Sequence, residues 1–190
     1  MRIGDDEVCG AEADICAAVL ALLREANLDQ LTVADVARQA GVSRSTFYRH
    51  FGSVADVVAS MQRRFMDAIE RINRLSLQAP RSRGESTHAS ASMVARVELY
   101  AANREFILAM EGPHGDAAFQ KNAEKVFRDY LAARLAADTM PKEKMELYAA
   151  FVAAGHYALV RAWLADYPDM PTRDVAELLN KLLYSSVALP

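Results

Sequence analysis

The residues best suited to chemistry lie in one short run: Arg44, Ser45, Thr46, Tyr48, Arg49 and His50. They supply guanidinium, hydroxyl, phenol and imidazole groups, and no acid stands among them. That set suits double-stranded DNA. Arg can fork onto guanine O6 and N7, and Thr can touch a thymine methyl. Ser, Thr, Tyr and Arg can bind phosphate and fix register. Arg also favours planar, two-point contacts over the point charge of Lys. Thr32 adds a hydroxyl at a predicted helix N-terminus, where a phosphate would be favoured. A solvated polar helix face has a similar composition, so the surrounding elements decide between the two readings.

Those elements are legible in residues 32–51, TVADVARQAGVSRSTFYRHF. Thr32 followed by Asp35 is a capping-type helix start. Gly41 can take the left-handed conformation that closes a helix and allows a tight turn. Ser43 can then cap the next helix. Two short helices joined by a turn of about three residues make a helix-turn-helix. Val33, Val36, Ala37, Val42, Phe47 and Phe51 face inward, with Ala37 small where the helices approach. Charge agrees with this placement. Residues 32–74 hold seven arginines against four acids, a surplus of +3 inside a chain of net charge −3.

The remainder of the 190-residue chain is helical in pattern. Apolar residues recur at i, i+3, i+4 spacing and period-2 alternation is nearly absent. About nine helices are expected. They cover residues 11–27, 32–40, 44–51, 54–78, 93–103, 104–111, 116–137, 141–167 and 172 onward. Residues 80–92, PRSRGESTHASAS, lack any large apolar side chain and form a linker or weak helix start. With 52% hydrophobic residues, wholesale disorder is excluded. No stretch approaches the roughly 20 uncharged apolar residues of a membrane helix. Residues 1–10 are acidic without an apolar core, so no signal peptide is expected.

Two cysteines cannot build a disulfide framework, which points to a reducing cytoplasm. Cys9 and Cys16 would lie roughly 10 Å apart on one helix, too far for a disulfide. Packed thiols are expected rather than a redox pair. His50, His88, His114 and His156 show no metal-ligand spacing. No strand-borne nucleophile or Gly-rich phosphate loop is present, so an enzyme is the least expected class and no cofactor is implied.

Residues 13–66 resemble the DNA-binding domain of the TetR family of bacterial transcriptional regulators. The matching positions are Thr32, Ala37, Ala40-Gly41-Val42-Ser43, Thr46-Phe47-Tyr48 and His50-Phe51. The segments 103–110, 119–130 and 155–163, followed by Pro168 and Pro171, resemble C-terminal regions of the same family. Departures exist. Val54 stands where a phosphate-binding Lys commonly follows the helix-opening Ser. Ser45 replaces a usual Gly or Pro. Asp5, Asp6 and Glu7 replace a basic N-terminal arm, leaving Arg2 alone there.

The resemblance implies an all-α fold. An N-terminal three-helix helix-turn-helix domain, residues 1–52, is joined by a long helix, 53–79, to a helical dimerisation and ligand-binding domain, 80–190. It implies a ligand-responsive repressor that binds a palindromic operator as a homodimer. Arg44 is assigned to a base, with Ser45 and Thr46 helping. Tyr48, Arg49, His50 and Thr32 are assigned to phosphates. The aromatic residues of the C-terminal part are core by default, and a subset could line a pocket for a small hydrophobic or aromatic effector. The candidates are Tyr100, Phe127, Tyr130, Tyr148 and His156. The apolar run 149–155 and the leucines of the last helix exceed what one small core needs. A homodimer four-helix interface explains them. Two other readings compete: an architectural or occlusion DNA-binding protein without a ligand, and a helical ligand-binding protein that has lost DNA binding.

Overall fold

The computed structural model describes residues 10–79, 89–135 and 141–185. Cys9, His88, the acidic N-terminal segment with Arg2, and most of the 80–92 break lie outside the described residues. Among the described residues there are nine α-helices, one 3-10 turn and no strand. The helices are α1 Ala11–Leu22, α2 Val33–Gln39, α3 Arg44–His50, α4 Val54–Gln78 and α5 Ala91–Ala102. They continue with α6 Arg104–Glu111, α7 Ala117–Leu135, α8 Lys142–Asp166 and α9 Thr172–Ser185.

The first helix is shorter than its apolar periodicity predicts, ending at Leu22 rather than near Asn27. A turn over residues 23–26 and a 3-10 turn, Leu28–Gln30, follow it. Asn27 explains the break. Its backbone N–H donates to Gln30 Oε1 at 3.1 Å, and its side-chain oxygen lies 2.7 Å from His114 Nδ1. A side chain that satisfies groups outside the helix favours leaving it. Residue 91, rather than 93, opens α5, because Ser90 Oγ accepts from Met93 N–H at 3.2 Å and caps the helix.

The residues divide into two compact units. The first comprises Met1–Asp67 and Ala102–Gln120. Its core joins Ile15 and Val19 of α1, Val36 and Ala37 of α2, and Phe47 of α3 with Val57, Met61 and Phe65 of α4. A triad of Phe65, Phe106 and Phe119 continues it, with ring centroids 5.3–5.9 Å apart. Gln62 Nε2 donates to Asp116 Oδ2 at 2.8 Å. Thus α6 and the start of α7 pack with the helix-turn-helix and not only with one another.

The second unit comprises Ala68–Ala101 and Lys121–Pro190. Phe127, Leu131, Ala149, Val152 and Ala153 form a buried cluster, flanked by Tyr130, Tyr148 and Leu183. Along α8 the buried residues are Ala149, Val152, Ala153, His156, Val160, Trp163 and Leu164. The opposite face exposes Leu147, Phe151, Ala154, Gly155, Ala158 and Ala162. This second apolar face makes α8 the one helix, among those described, long and apolar enough to cross a membrane by composition. The sequence reading expected no such stretch. Its best 18 residues reach a mean hydropathy of only 1.2, and a third of them are buried in the protein. The same composition serves a helix packed on one side and open on the other.

Candidate nucleic-acid interface and apolar cavity

The turn between α2 and α3 is built by caps at both ends. Thr32 Oγ1 accepts from Asp35 N–H at 3.2 Å and donates to Asp35 Oδ2 at 2.6 Å. The Thr32 hydroxyl holds the Asp35 carboxyl below its ordinary pKa, with help from Arg38. At the other end of α2, Gly41 takes φ 66°. Val42 N–H reaches Ala37 O at 3.0 Å and Gly41 N–H reaches Arg38 O at 3.3 Å. That pair of bonds is a Schellman closure, which requires the left-handed residue between them. Ser43 Oγ then accepts from Thr46 N–H at 3.0 Å and starts α3.

This frame sorts the side chains of α3. Phe47 points inward and is fully buried. Arg44, Ser45, Tyr48 and Arg49 are exposed, and their i, i+1, i+4, i+5 spacing places them on one stripe. Tyr48 is 59% exposed although aromatic, its ring edge-on to Phe47. Thr46 is half-buried, with its hydroxyl 2.9 Å from Ser43 Oγ. His50 turns toward α1, Nδ1 lying 3.8 Å from Glu12 Oε2. Arg64 bonds the other oxygen of Glu12. The Thr32 hydroxyl is engaged with Asp35. Four of the seven sequence-assigned contacts are therefore brought together free of other tasks, while Thr32, Thr46 and His50 also hold the frame.

The second unit contains a cavity of about 520 Å³. Three of the five sequence-assigned ligand residues line it: Phe127, Tyr130 and Tyr148. Tyr100 and His156 do not. They are buried, with Tyr100 Oη 3.3 Å from His156 Nε2, and His156 stacks on Phe127 at 4.1 Å between centroids. Hydroxyls form part of the wall. Ser92 Oγ donates to Ser76 Oγ at 3.1 Å, and Ser76 Oγ lies 2.7 Å from Tyr130 Oη. Arg134 Nη1 donates to Ser76 O at 2.7 Å. Arg96, wholly inside the unit, also lines the cavity. Sequence reasoning passed over Arg96, Arg134, Ser76 and Asn180. One signal was available for Arg96, which falls on the same α5 face as Met93, Val97 and Tyr100, an apolar stripe where a charge is out of place.

Comparison with known proteins bears on both sites. A model described as bacterial regulatory proteins, tetR family, matches residues 15–61. A second, described as a transcriptional regulator C-terminal region, matches residues 88–185. The chain belongs to the TetR family of bacterial transcriptional regulators. A curated relative, the uncharacterized HTH-type transcriptional regulator YxbF of Bacillus subtilis (strain 168), is 27% identical over 184 residues. That match covers 90% of this chain but only 45% of the relative. The fatty acid degradation regulator FadR from Bacillus halodurans has the same fold, with a TM-score of 0.65 at 15% identity over 97% of this chain and all of that one. FadR from Bacillus subtilis, solved in complex with stearoyl-CoA, gives 0.59 at 16% identity over 92% and 98% of the two chains.

In this TetR-family regulator the buried histidine predicts a pH dependence. Burial, and then the charge of Arg96, hold His156 down to a pKa of about 3. An unfolded histidine titrates near 6.5. Between those values the unfolded chain carries a proton that the folded chain lacks, so stability falls as pH falls. From pH 6.5 to 5 the loss should reach about 2 kcal/mol. Melting curves of the wild type and His156→Phe across that window check this. The variant, still able to stack on Phe127, should lose most of the slope. Parallel slopes would show that His156 titrates alike in the folded and unfolded chain.

Among the described residues the one thiol, Cys16, is quiet. Burial pushes Cys16 up to about 11, which leaves little thiolate to react. Among the described residues, no three His, Cys, Asp or Glu side chains gather as a metal site.

Proposed function

We propose that the protein is a ligand-responsive repressor that binds a palindromic operator as a homodimer in the cytoplasm. The observation that carries the reading is the exposed stripe of Arg44, Ser45, Tyr48 and Arg49 on a helix whose start is fixed by the Ser43 cap. Residues near the start of a reading helix reach base edges, and those further along reach the backbone. Two copies must place α3 roughly 34–36 Å apart to enter successive major grooves.

The dimer follows from the open face of α8. Leu147 is 73% and Phe151 72% exposed, and Leu178 and Leu182 of α9 are exposed as well. A helical glycine costs about 1 kcal/mol relative to Ala, yet a Cβ at Gly155 would meet nothing within 4 Å. Among the described residues of its own chain, nothing requires Gly155 to lack a side chain. Close approach of a second α8 supplies the requirement.

The cavity supplies the effector site. A ligand that prefers a conformer with a different α3 spacing lowers operator affinity by that preference. Repression by occlusion without a ligand is the competing reading, and a cavity of about 520 Å³ favours the sensor. Selection of duplexes from a random pool tests the DNA reading. Enrichment of an inverted repeat with half-sites one helical turn apart is expected. Recovery of single, non-repeated sites, or no enrichment, overturns it.

A further inference from the structure

The cavity carries an unbalanced charge. Two of its lining side chains are arginines, Arg96 and Arg134, and among the described residues none of the lining side chains is acidic. Arg96 is only 2% exposed. Its Nη2 donates to Asn73 Oδ1 at 2.7 Å and the guanidinium also acts on the neighbouring Tyr100 phenol, while Nε and Nη1 find no hydrogen-bond acceptor. Its guanidinium carbon lies 4.7 Å from the Phe127 ring centre and 4.9 Å from that of Tyr130. Those ring faces offset part of the charge, but they are not a counter-ion. The neighbouring titratable groups add no negative charge, because burial keeps the Tyr100 phenol protonated and His156 neutral. A guanidinium buried without a carboxylate is costly, and an arriving oxyanion would relieve the cost.

We propose that the effector is an amphiphilic carboxylate. Its oxyanion pairs with the Arg96 guanidinium, under the added field of Arg134, and its apolar tail lies against Met93, Phe127 and Leu131. This rests on the ligand-responsive reading and narrows it from a hydrophobic molecule to an anionic one. A cation is repelled by both arginines. A neutral molecule can accept a hydrogen bond from Arg96 but brings no counter-charge.

Calorimetry with decanoate, decanol and decylammonium, all below micelle-forming concentrations, tests the assignment on the full-length protein. Decanoate should bind at least tenfold more tightly than decanol, the size of one charge-assisted hydrogen bond, and decylammonium should bind weakest. Arg96→Met should erase the preference for decanoate over decanol, and Arg96→Gln provides a polar replacement should the first variant misfold. Equal or tighter binding of decanol or decylammonium, an unchanged preference in both variants, or no binding of decanoate overturns the proposal. Decanoyl-CoA places its charges on the nucleotide instead of the chain end. Binding of it tighter than decanoate, and indifferent to Arg96, overturns the free carboxylate. Operator affinity separates the two levels. Decanoate that binds through Arg96 without weakening the DNA complex keeps the anion site and removes the effector role. Decanol that binds best and releases DNA keeps the effector role and removes the anion site.

Discussion

The wild type is expected to sediment at twice 20.9 kDa, and Phe151→Asp in α8 to leave a folded monomer of that mass. Phe151 is 72% exposed within its own chain, so the substitution removes little intramolecular packing. A two-fold interface counts each change twice. Losing a buried Phe removes about 2–3 kcal/mol per copy, and a carboxylate desolvated in its place adds several more. The dimer dissociation constant should therefore rise by at least about a thousandfold. Gly155 offers the complementary result. Its Cβ direction is open, so Gly155→Ala should raise the stability of an isolated subunit by about 1 kcal/mol through helix propensity. The same change should weaken a dimer in which two α8 backbones approach closely. Operator affinity should fall with dimer affinity in Phe151→Asp, because the second half-site is no longer tethered to the first. A dimer that survives Phe151→Asp places the interface elsewhere.

On operator DNA the two exposed arginines of α3 should fail differently. Arg44 stands at the first position of the helix, where side chains reach base edges. Arg44→Ala should cost about 1–3 kcal/mol per half-site and relax preference at one base pair. Arg49 lies five residues further on, and its proposed contact is a phosphate. Arg49→Ala should weaken all sequences alike and flatten the salt dependence by about 2 in slope for a dimer, one phosphate per half-site. Tyr48→Phe should lose affinity with little change in slope, because a neutral hydroxyl releases no counterion. Binding to an inverted-repeat duplex and a scrambled one at several salt concentrations distinguishes these cases. Equal loss on both duplexes for Arg44→Ala makes Arg44 a phosphate contact.

The reading unit was the most legible part of the sequence, because its information is local. Thr32, Gly41 and Ser43 each act on backbone groups within four residues, so their types reveal their task. The pairing of α6 with the helix-turn-helix is different. Phe106 and Phe119 announce that they are inward, but periodicity does not name the partner, and Phe65 is some forty residues away. The cavity shows the same limit. Phe127, Tyr130, Tyr148, Tyr100 and His156 all read as inward-facing aromatic positions. Only the packing of α5, α7 and α8 leaves space beside the first three and closes it around the last two. Arg96 is marked in the sequence by the less common feature, a charge on an apolar stripe, which the aromatic pattern of the cavity does not reveal. The Asn27–Gln30 capping box behind the early end of α1 is a local signal that the apolar periodicity masked, whereas the contact of Asn27 with His114 is not local.

The return of residues 102–120 to the first unit has a consequence for synthesis on the ribosome. Helices α1 to α3 and the first half of α4 emerge early, but the apolar side of Phe65 stays uncovered until Phe106 and Phe119 follow. At about 5–20 residues per second, that interval lasts several seconds. During it a nascent reading head exists with part of its core open to water and to other chains. Cutting the gene after α4 would make that condition permanent, so a compact DNA-binding fragment of this protein has to extend through α6 to Phe119 and cannot stop at α4.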